Sequence, residues 1–419
     1  MNFRYLIYAL AGLLTACQSA TSPPPGPGTN ADSSQTKPYL VMVSIDGFRA
    51  SYWDEYESPH LHKIASQGVR AEAMRPSYPA STFPNHYTLV TGMYPGTHGL
   101  VNNSFYDEEM KEAYSMRDKE KVQDGAFYGG VPLWSLAEQQ HMVSASFFWV
   151  GSEAEIAGHR PTYYKQYDGS VSNAARVDTI GAWLELPDDR RPHVLFLYFS
   201  IVDSRGHRYG PNSPEVQEAI LEVDEQIGRL NEILDQHRSE GKDISLIVTA
   251  DHGMCDVDTE DPAYVEDYID IDQFEVSRGS TLWMLYSDDS TQIAQAYADL
   301  KANPSDKFDV YLRNEVPEHL HFRHPTKVGD IVCIAREPWQ FARRMMGYTP
   351  GTGQHGFDPY TYSDMGALFV VQSSQLPAGT IIPPFDNIHV YPLAAHLLQL
   401  NIPTEIDGDI GMWESLLSE

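Results

Sequence analysis

Three short apolar segments, each ending one or two residues before an aspartate, constrain the fold of this chain more than any other feature. They are residues 39–45 (YLVMVSI), 194–202 (VLFLYFSIV) and 244–249 (ISLIVT). Near-continuous apolar runs of this length are typical of strands buried on both faces of a parallel sheet. Helix signals lie between them: Ser58-Pro59 begins a helix that Gly68 ends, and residues 216–234 repeat apolar side chains at helical spacing. This alternation predicts an α/β fold with a mostly parallel central sheet flanked by helices.

Each predicted strand delivers a carboxylate at its carboxyl end, and two of these carboxylates have a histidine nearby. The aspartates are Asp46, Asp203 and Asp251, and the histidines are His207 and His252. Ligands of open α/β sheets bind outside the carboxyl ends of the strands, so the side chains are candidates for a metal centre. The alternative is that these aspartates only cap strand ends and turns.

A second candidate site lies in the segment SYPASTFPNH, residues 77–86. Proline is favoured in the first turn of a helix, so Pro84 places Thr82 at or beside a helix N-terminus. Free N–H groups and the helix dipole favour an anion there, which makes the hydroxyl a candidate nucleophile. The alternative is that Thr82 only caps the helix. Asn103, in the following loop, is either a neutral donor to a phosphoryl oxygen or a turn residue.

The strand pattern changes after Cys255, which predicts two structural units. Residues 38–255 and 346–419 form the α/β domain, and residues 256–345 form a small α+β insertion that acts as a cap. The insertion contains three histidines without a patterned carboxylate, which predicts a structural role for them rather than a metal site: His319, His321 and His324. Cys255 and Cys333 leave a disulfide open as a possibility.

The N-terminus resembles a bacterial lipoprotein signal. Arg4 is followed by an apolar stretch, residues 5–14, that is too short to span a bilayer, and Leu14-Thr15-Ala16 precedes Cys17. This predicts a signal peptide over residues 1–16, a lipid on Cys17, and a Pro-rich tether over residues 17–37. The alternative is an ordinary secretory signal. The lipoprotein interpretation predicts a membrane-anchored protein of the bacterial cell envelope, in the periplasm or at the outer membrane.

Charge restricts the partners. The 419 residues carry a net charge of −29, which disfavours binding to nucleic acid duplexes. A small anionic substrate would need local positive charge, such as metal ions.

Taken together, five motifs resemble the nucleotide pyrophosphatase/phosphodiesterase family of the alkaline phosphatase superfamily, from about residue 38 to the end of the chain. They are Asp46-Gly47-Phe48-Arg49, Thr82-Phe83-Pro84-Asn85-His86, Asp203-x-x-Gly206-His207, Asp251-His252-Gly253 and His355-Gly356-Phe357-Asp358. One departure is Val202, where the family often has proline.

The resemblance implies two zinc ions. Asp203, His207 and His355 would hold one, and the other would be held by four residues: Asp46, Asp251, His252 and Thr82. It also implies that Thr82 attacks phosphorus and forms a phospho-threonine intermediate, while Asn103 and the helix N-terminus bind the non-bridging oxygens.

The resemblance further implies an aromatic slot for a nucleobase, in which Phe83 and Tyr167 sandwich the base and Tyr198 is a further pocket residue. From the residues alone, the loop tyrosines are either core anchors or a stacking surface. The implied activity is hydrolysis of nucleotides to nucleoside monophosphates. The alternatives are a lysophospholipid or choline phosphodiesterase, a phosphomonoesterase of the same superfamily, and an inert binding lipoprotein.

Overall fold

The computed structural model describes residues 28–344, 351–403 and 405–417. Its strands, in chain order, are β1 (Tyr39–Ile45), β2 (Val69–Ala71), β3 (Met74–Arg75), β4 (Ser104–Asp107), β5 (Glu112–Ser115), β6 (Ser144–Phe147), β7 (Tyr163–Lys165), β8 (Val194–Phe199), β9 (Ile244–Thr249), β10 (Cys255–Asp256), β11 (Glu275–Arg278), β12 (Leu282–Tyr286), β13 (Phe308–Leu312), β14 (Ile331–Ala335), β15 (Gly353–Gln354), β16 (Phe369–Gln372), β17 (Thr380–Ile382) and β18 (Phe385–Asp386). Its α-helices are α1 (Tyr52–Glu55), α2 (Pro59–Ser66), α3 (Thr82–Thr91), α4 (Pro95–His98), α5 (Lys119–Val122), α6 (Leu133–Gln139), α7 (Asn173–Leu184), α8 (Ile201–Tyr209), α9 (Pro214–Ser239), α10 (Ser290–Ala302) and α11 (Val390–Leu397).

The central sheet has eight strands in the order β17-β2-β16-β9-β1-β8-β6-β7. The strands β9, β1, β8, β6 and β7 are parallel to their neighbours, whereas β16 is antiparallel to both β9 and β2. Every residue of β1, β8 and β9 is buried, as the apolar runs predicted. The expectation of a mostly parallel central sheet flanked by helices is therefore confirmed.

Two groups of helices pack around this sheet. Helices α2 and α7 both pack against α9, and α3, α6 and α11 form the second group. The long helix α9 buries Val216, Ile220, Val223, Ile227, Leu230 and Leu234. Burial of each such side chain contributes about 1.5–3 kcal/mol, so this helix holds β9 firmly beneath the site.

The stretch predicted as an insertion contains a separate antiparallel sheet in the order β11-β12-β14-β13, with α10 packed on β13. His319 lies in a 3-10 helix and His321 has a φ of 48°, so the two histidines do not share a strand face. Cys255 and Cys333 are free, buried thiols.

The boundary of the predicted tether is wrong at its carboxyl end. The tether was expected to reach residue 37, but Asn30 is buried and binds the domain through its side chain. Its Nδ2 donates to the carbonyls of Asp188 (2.8 Å) and Arg191 (2.7 Å), and its Oδ1 accepts from Val143 N (2.8 Å). An asparagine amide can satisfy loop carbonyls and a backbone N–H at the same time, so the packed chain already includes residue 30.

The signal peptide and Cys17 lie outside the described residues. Within the described ranges, no helix combines the length and apolar character needed to cross a bilayer.

Candidate active site

Two buried aspartates meet at the carboxyl edge of the sheet because their strands are adjacent and parallel. Asp46 follows β1 and Asp251 lies two residues after β9. Asp46 is 2% exposed and Asp251 is fully buried. Gly47 N donates to Asp251 Oδ1 at 3.1 Å, so one oxygen of that carboxylate is already satisfied by the backbone.

Asp203 and His207 come to this edge on a helix that starts two residues after β8, whereas the sequence predicts a strand that continues to Val202. Helix α8 starts at Ile201, and a spacing of four places the two side chains on one face. His207 Nε2 lies 3.3 Å from Asp203 Oδ1. The turn at Gly47 has a φ of 69°, and a Cβ there would lie 2.9 Å from Asp203 Cα. Glycine is therefore required for β1 and α8 to approach this closely.

His355 reaches the same place from the loop after β15. Its Nε2 lies 3.2 Å from His207 Nε2 and 3.7 Å from Asp203 Oδ1, and its ring stacks on His252 with centroids 3.7 Å apart. Four separate chain segments thus converge on one cluster, which we call the ligand cluster and which consists of Asp46, Asp203, His207, Asp251, His252 and His355.

The three imidazoles of the ligand cluster are held in one orientation by the backbone. Each places Nδ1 against a carbonyl oxygen: His207 against Gly353 O (2.9 Å), His252 against Gly253 O (2.9 Å) and His355 against Ala80 O (2.8 Å). A carbonyl can only accept, so a neutral imidazole carries its proton on Nδ1 and presents the Nε2 lone pair to the cluster. This is the arrangement expected of histidines that bind a metal through Nε2.

The carboxylates also lack the donors that a buried anion needs. Asp46 Oδ1, Asp203 Oδ1 and Asp251 Oδ2 are buried without a hydrogen-bond partner among the described residues. Burial, with the nearby carboxylates of Asp251 and Asp203, raises the pKa of Asp46 well above its ordinary value. Three carboxylates at one buried site need a cation, because isolated charges are costly to bury.

The donor set fits metal ions in two overlapping groups. In each group, the ligand atoms lie within 4.8 Å of one another; one group is Asp203, His207 and His355, and the other is Asp46, Asp203 and His252. Asp251 adds a free oxygen next to the second group, because its Oδ2 lies 3.0 Å from His252 Nε2. Carboxylate and imidazole donors suit zinc among other divalent ions.

The charges of Asp203, His207 and His355 depend strongly on one another. Burial opposes ionisation of Asp203, but the imidazoles of His207, His355 and His252 outweigh it and lower its pKa to about 2. Against the effect of burial, the Asp203 carboxylate raises the pKa of His207 to about 9. Burial and the two neighbouring imidazoles lower the pKa of His355 to about 3.

Thr82 is the first residue of α3, and its hydroxyl does not cap the helix. The N-cap residue is Ser81, and no side chain makes a cap bond there. Thr82 Oγ1 instead lies 3.3 Å from His252 Nε2. The side chain is 8% exposed and borders an open cleft, so the hydroxyl is available to an incoming molecule.

Asn103 lies beside the N-terminus of α3, and its side chain accepts a hydrogen bond from one of the N–H groups there. Phe83 N donates to Asn103 Oδ1 at 2.9 Å, which fixes the amide with its NH₂ as the remaining donor. The N–H of Phe83 is therefore already taken. The anion site expected from the helix N-terminus depends more on the Asn103 amide than the sequence suggested.

The three aromatic residues occupy different environments. Tyr167 is 47% exposed, so it is not a core anchor, and its ring contacts Phe148 with centroids 5.2 Å apart. Phe83 is half-buried and meets the edge of Tyr114. Tyr198 is buried and donates to Asp46 Oδ2 at 2.5 Å. Its hydroxyl thus orients a residue of the ligand cluster, a contact that the sequence did not indicate.

Sequence reasoning also missed His86. It is fully buried on α3, and its Nδ1 lies 2.8 Å from Thr82 O and 3.3 Å from Asp251 Oδ2. It therefore ties the first turn of α3 to the ligand cluster. The available signal was its position four residues after Thr82, which places both on one helix face.

A cleft of about 690 Å³ opens from the ligand cluster toward the insertion. On one side it is lined by Thr82, Asp203, His207 and His355, and on the other by residues at the start of β12. Thr281 Oγ1 donates to His355 O at 3.2 Å, so the insertion is fixed directly to the ligand cluster. This volume lies within the range of about 300–1,000 Å³ that is usual for small-molecule sites.

Residues 40–358 match the family model described as type I phosphodiesterase / nucleotide pyrophosphatase. The chain is 34% identical over 390 residues to ectonucleotide pyrophosphatase/phosphodiesterase family member 3 of Bos taurus, covering 91% of this chain and 44% of the relative. It is 36% identical over 393 residues to member 1 of the same family from Homo sapiens, covering 91% and 42%. The chain thus spans less than half the length of these two relatives.

Solved structures of this kind resemble the fold closely. Murine ectonucleotide pyrophosphatase/phosphodiesterase 5 superposes with a TM-score of 0.84 at 28% identity, covering 91% of this chain and all of that one. An inactive threonine-to-alanine variant of the murine protein, in complex with AMP, gives the same TM-score and coverage.

Proposed function

This chain belongs to the type I phosphodiesterase / nucleotide pyrophosphatase family, and we propose that it is a zinc-dependent phosphodiesterase that hydrolyses nucleotides to nucleoside monophosphates. The position of Thr82 carries this proposal. Its hydroxyl lies at a helix start, 3.3 Å from His252 Nε2, where the ligand cluster meets an open cleft. The inactive threonine-to-alanine variant of the murine relative, in complex with AMP, supports the same assignment.

The ligand cluster is proposed to hold two zinc ions. One is bound by Asp203, His207 and His355, and the other by Asp46, Asp251, His252 and the Thr82 hydroxyl. Bound zinc would lower the pKa of the Thr82 hydroxyl, and its positive charge would stabilise the phosphoryl oxygens and the leaving oxygen. Tyr198 and His86 keep Asp46 and Asp251 oriented through their contacts at 2.5 and 3.3 Å.

In the proposed reaction, Thr82 Oγ1 gives up its proton to solvent and forms a bond to phosphorus in line with the bond that breaks. The leaving group departs with its bridging oxygen and the electron pair of the P–O bond. Water then attacks the phospho-threonine, which releases the nucleoside monophosphate and restores the hydroxyl. The Asn103 amide, fixed by Phe83 N, donates to a non-bridging phosphoryl oxygen, a position in which one hydrogen bond is worth most in the transition state.

The nucleoside is proposed to bind between Phe83 and Tyr167. Tyr167 is exposed enough to receive a base, and its ring lies 6.3 Å from Tyr198, beside the ligand cluster. Stacking tolerates different bases because every base has a π-face, so the slot selects nucleotides as a class.

A panel of three chromogenic substrates tests this function. We expect p-nitrophenyl thymidine monophosphate to be hydrolysed much faster than p-nitrophenyl phosphate or p-nitrophenyl phosphocholine. Faster turnover of the phosphocholine ester would support a choline phosphodiesterase instead, and faster turnover of the monoester a phosphomonoesterase. No turnover of any substrate after loading with zinc would support a binding protein.

The lipid anchor at Cys17 is proposed separately, together with a location in the bacterial cell envelope. Ten residues lie between Cys17 and Gly28, where the described chain begins. Fully extended, they span at most roughly 40 Å, which would keep the domain near the membrane. Mass spectrometry of the membrane fraction should find acyl chains on the Cys17 peptide, and Cys17→Ser should release active protein. Active, unmodified wild-type protein outside the membrane fraction would contradict the anchor.

A further inference from the structure

The cleft between the ligand cluster and the insertion has an unusual charge for this chain. The whole sequence has 58 acidic and 29 basic residues, excluding histidine. Among the described residues, the lining contains three arginines and a single carboxylate, that of the proposed metal ligand Asp203. The arginines are Arg117, Arg278 and Arg343, and we call this space the arginine cleft. A local reversal of charge on a strongly acidic chain points to an anionic ligand.

Two of these arginines have no counter-ion. Within the described ranges, no carboxylate lies within ion-pair distance of Arg117 or Arg278, and both residues are exposed. Arg343 differs, because it pairs with Asp272 at 2.9 Å and Glu266 at 3.6 Å. Burial and the positive charge of Arg343 lower the pKa of the Arg278 guanidinium and outweigh the more distant carboxylates of Asp272, Glu275 and Glu266, so Arg343 is close enough to repel Arg278. A bound anion would relieve this repulsion.

The fold fixes the two unpaired arginines relative to the catalytic residues. Arg117 lies two residues after β5, in the hairpin whose other strand begins after Asn103, and Met116 N donates to Asn103 O at 2.8 Å. Arg278 ends β11, and the preceding Ser277 donates through its hydroxyl to Ser104 O at 2.5 Å. The hairpin and the insertion sheet are therefore bonded together, and both arginines are tied to the strand that follows Asn103.

The arginine cleft lies on one defined side of the reaction centre. Its lining includes Asp203, His207 and His355, but not Phe83 or Tyr167. In the proposed function the aromatic pair holds the nucleoside, and neither aromatic residue borders this cleft. The group that departs from phosphorus thus points into the arginine cleft.

We propose that the arginine cleft is the subsite for the leaving group, and that Arg117 and Arg278 select leaving groups that carry phosphate. This inference rests on the proposed function and narrows its substrate class to nucleoside triphosphates and dinucleoside polyphosphates. The Thr82 oxygen bonds to the α-phosphorus, the α–β anhydride bond breaks, and the terminal phosphates leave as a pyrophosphate-type anion. A cationic choline leaving group would meet three guanidinium groups, so the same geometry disfavours choline esters.

The test compares two substrates with the same chemistry at phosphorus and different leaving groups, ATP and p-nitrophenyl thymidine monophosphate. In the zinc-loaded protein, the double variant Arg117→Gln/Arg278→Gln should lower the ratio of kcat/KM for ATP to that for the aryl ester by about tenfold. Loss of a charge-assisted contact at an exposed position is of this order. Arg344→Gln is the matched control, because Arg344 adjoins Arg343 but pairs with Asp267 outside the cleft. It should leave the ratio unchanged.

A binding measurement separates recognition from chemistry. In a Thr82→Ala background, which should not turn over substrate, calorimetry should show that ATP binds more tightly than AMP. The double arginine variant should remove most of that difference, and Arg344→Gln should not. An unchanged kinetic ratio, or an ATP preference that survives loss of both arginines, would overturn the leaving-group assignment while the phosphodiesterase proposal stands. Wild-type protein that hydrolyses neither substrate would overturn both.

Discussion

The ligand cluster and the arginine cleft share Asp203, His207 and His355, but they are built in opposite ways. In the ligand cluster, Asp46, Asp251 and His252 expose 2% or less of their surface, and backbone carbonyls orient every imidazole. In the arginine cleft, Arg117 and Arg278 are exposed and lack a counter-ion among the described residues. The first region is suited to chemistry that needs fixed geometry. The second is suited to recognition by charge, which tolerates long and flexible side chains.

The same contrast predicts where substitutions are tolerated and where they are not. A change in the ligand cluster leaves a buried charge or lone pair without a partner, which is costly and cannot be relieved by water. A change in the arginine cleft exposes its neighbours to solvent, which replaces much of the lost interaction. The expected effect of a change therefore decreases from the ligand cluster outward.

The largest effect is expected at Thr82, where the two regions meet. Thr82→Ala should lower kcat for p-nitrophenyl thymidine monophosphate by roughly 10³- to 10⁶-fold, because it removes the proposed nucleophile. Thr82→Ser should retain partial activity, since a hydroxyl remains. Thr179→Ala, whose hydroxyl bonds only within α7, is the control. Full activity of Thr82→Ala with unchanged zinc content would end the covalent mechanism.

The next effect is on metal content. The zinc-loaded wild type should contain two equivalents per chain, and a chelator should abolish activity that added zinc restores. His355→Ala removes one Nε2 donor from the group of Asp203 and His207, so it should lower the content toward one equivalent. Elemental analysis beside activity provides the measurement. A fully active wild type without metal would contradict the role of the ligand cluster.

A smaller loss of metal affinity or activity is expected when a metal ligand is kept but the side chain that orients it is changed. Tyr198→Phe deletes the hydroxyl that donates to Asp46 Oδ2 and keeps the ring. Loss of such a contact typically lowers metal affinity or activity 10- to 100-fold. Tyr163→Phe, on the edge strand β7 of the same sheet, should have no comparable effect. Equal behaviour of the two variants would mean that Asp46 is oriented without Tyr198.

The sequence predicted the residues of the ligand cluster better than it predicted the side chains that orient them or the arginine cleft. Buried parallel strands need long apolar runs, and these runs located Asp46 and Asp251 at their ends. The apolar run before Asp203 continues through Val202 into the first turn of α8, so the sequence predicts a strand over residues that begin the helix. Tyr198 lies within that run, so nothing distinguished its hydroxyl contact from ordinary core packing.

The arginine cleft had no sequence signal at all. Arg117 and Arg278 are single exposed residues, 161 positions apart in the chain, and neither belongs to a periodic pattern or a motif. They come together only because the β4–β5 hairpin packs on β11. The end of the tether was misplaced for a similar reason, since the buried amide of Asn30 lies in a segment of loop-like composition.

The pH dependence of metal binding follows from the charges in the ligand cluster. Without metal, the Asp203 carboxylate raises the pKa of His207 to about 9, so a metal must displace a proton there at any lower pH. Asp203, with a pKa of about 2, and His355, with a pKa of about 3, keep one state between pH 6 and 8. Zinc affinity at this group should therefore rise about tenfold per pH unit over that range and level off above pH 9. A flat affinity measured by competition titration would show that His207 is not a ligand.

Salt should produce the smallest effect and should separate the two regions most directly. Exposed charges are screened over about 8–10 Å at moderate ionic strength, whereas buried ones are screened much less. Raising sodium chloride from low to moderate concentration should therefore lower kcat/KM for ATP about two- to fivefold more than for the aryl ester, because only ATP places phosphates beside Arg117 and Arg278. The Arg117→Gln/Arg278→Gln variant should lose this difference, since its cleft has little exposed charge left to screen. If the variant and the wild type respond to salt alike, the anionic leaving group is held by the buried ions of the ligand cluster, and the contrast between the two regions does not extend to substrate selection.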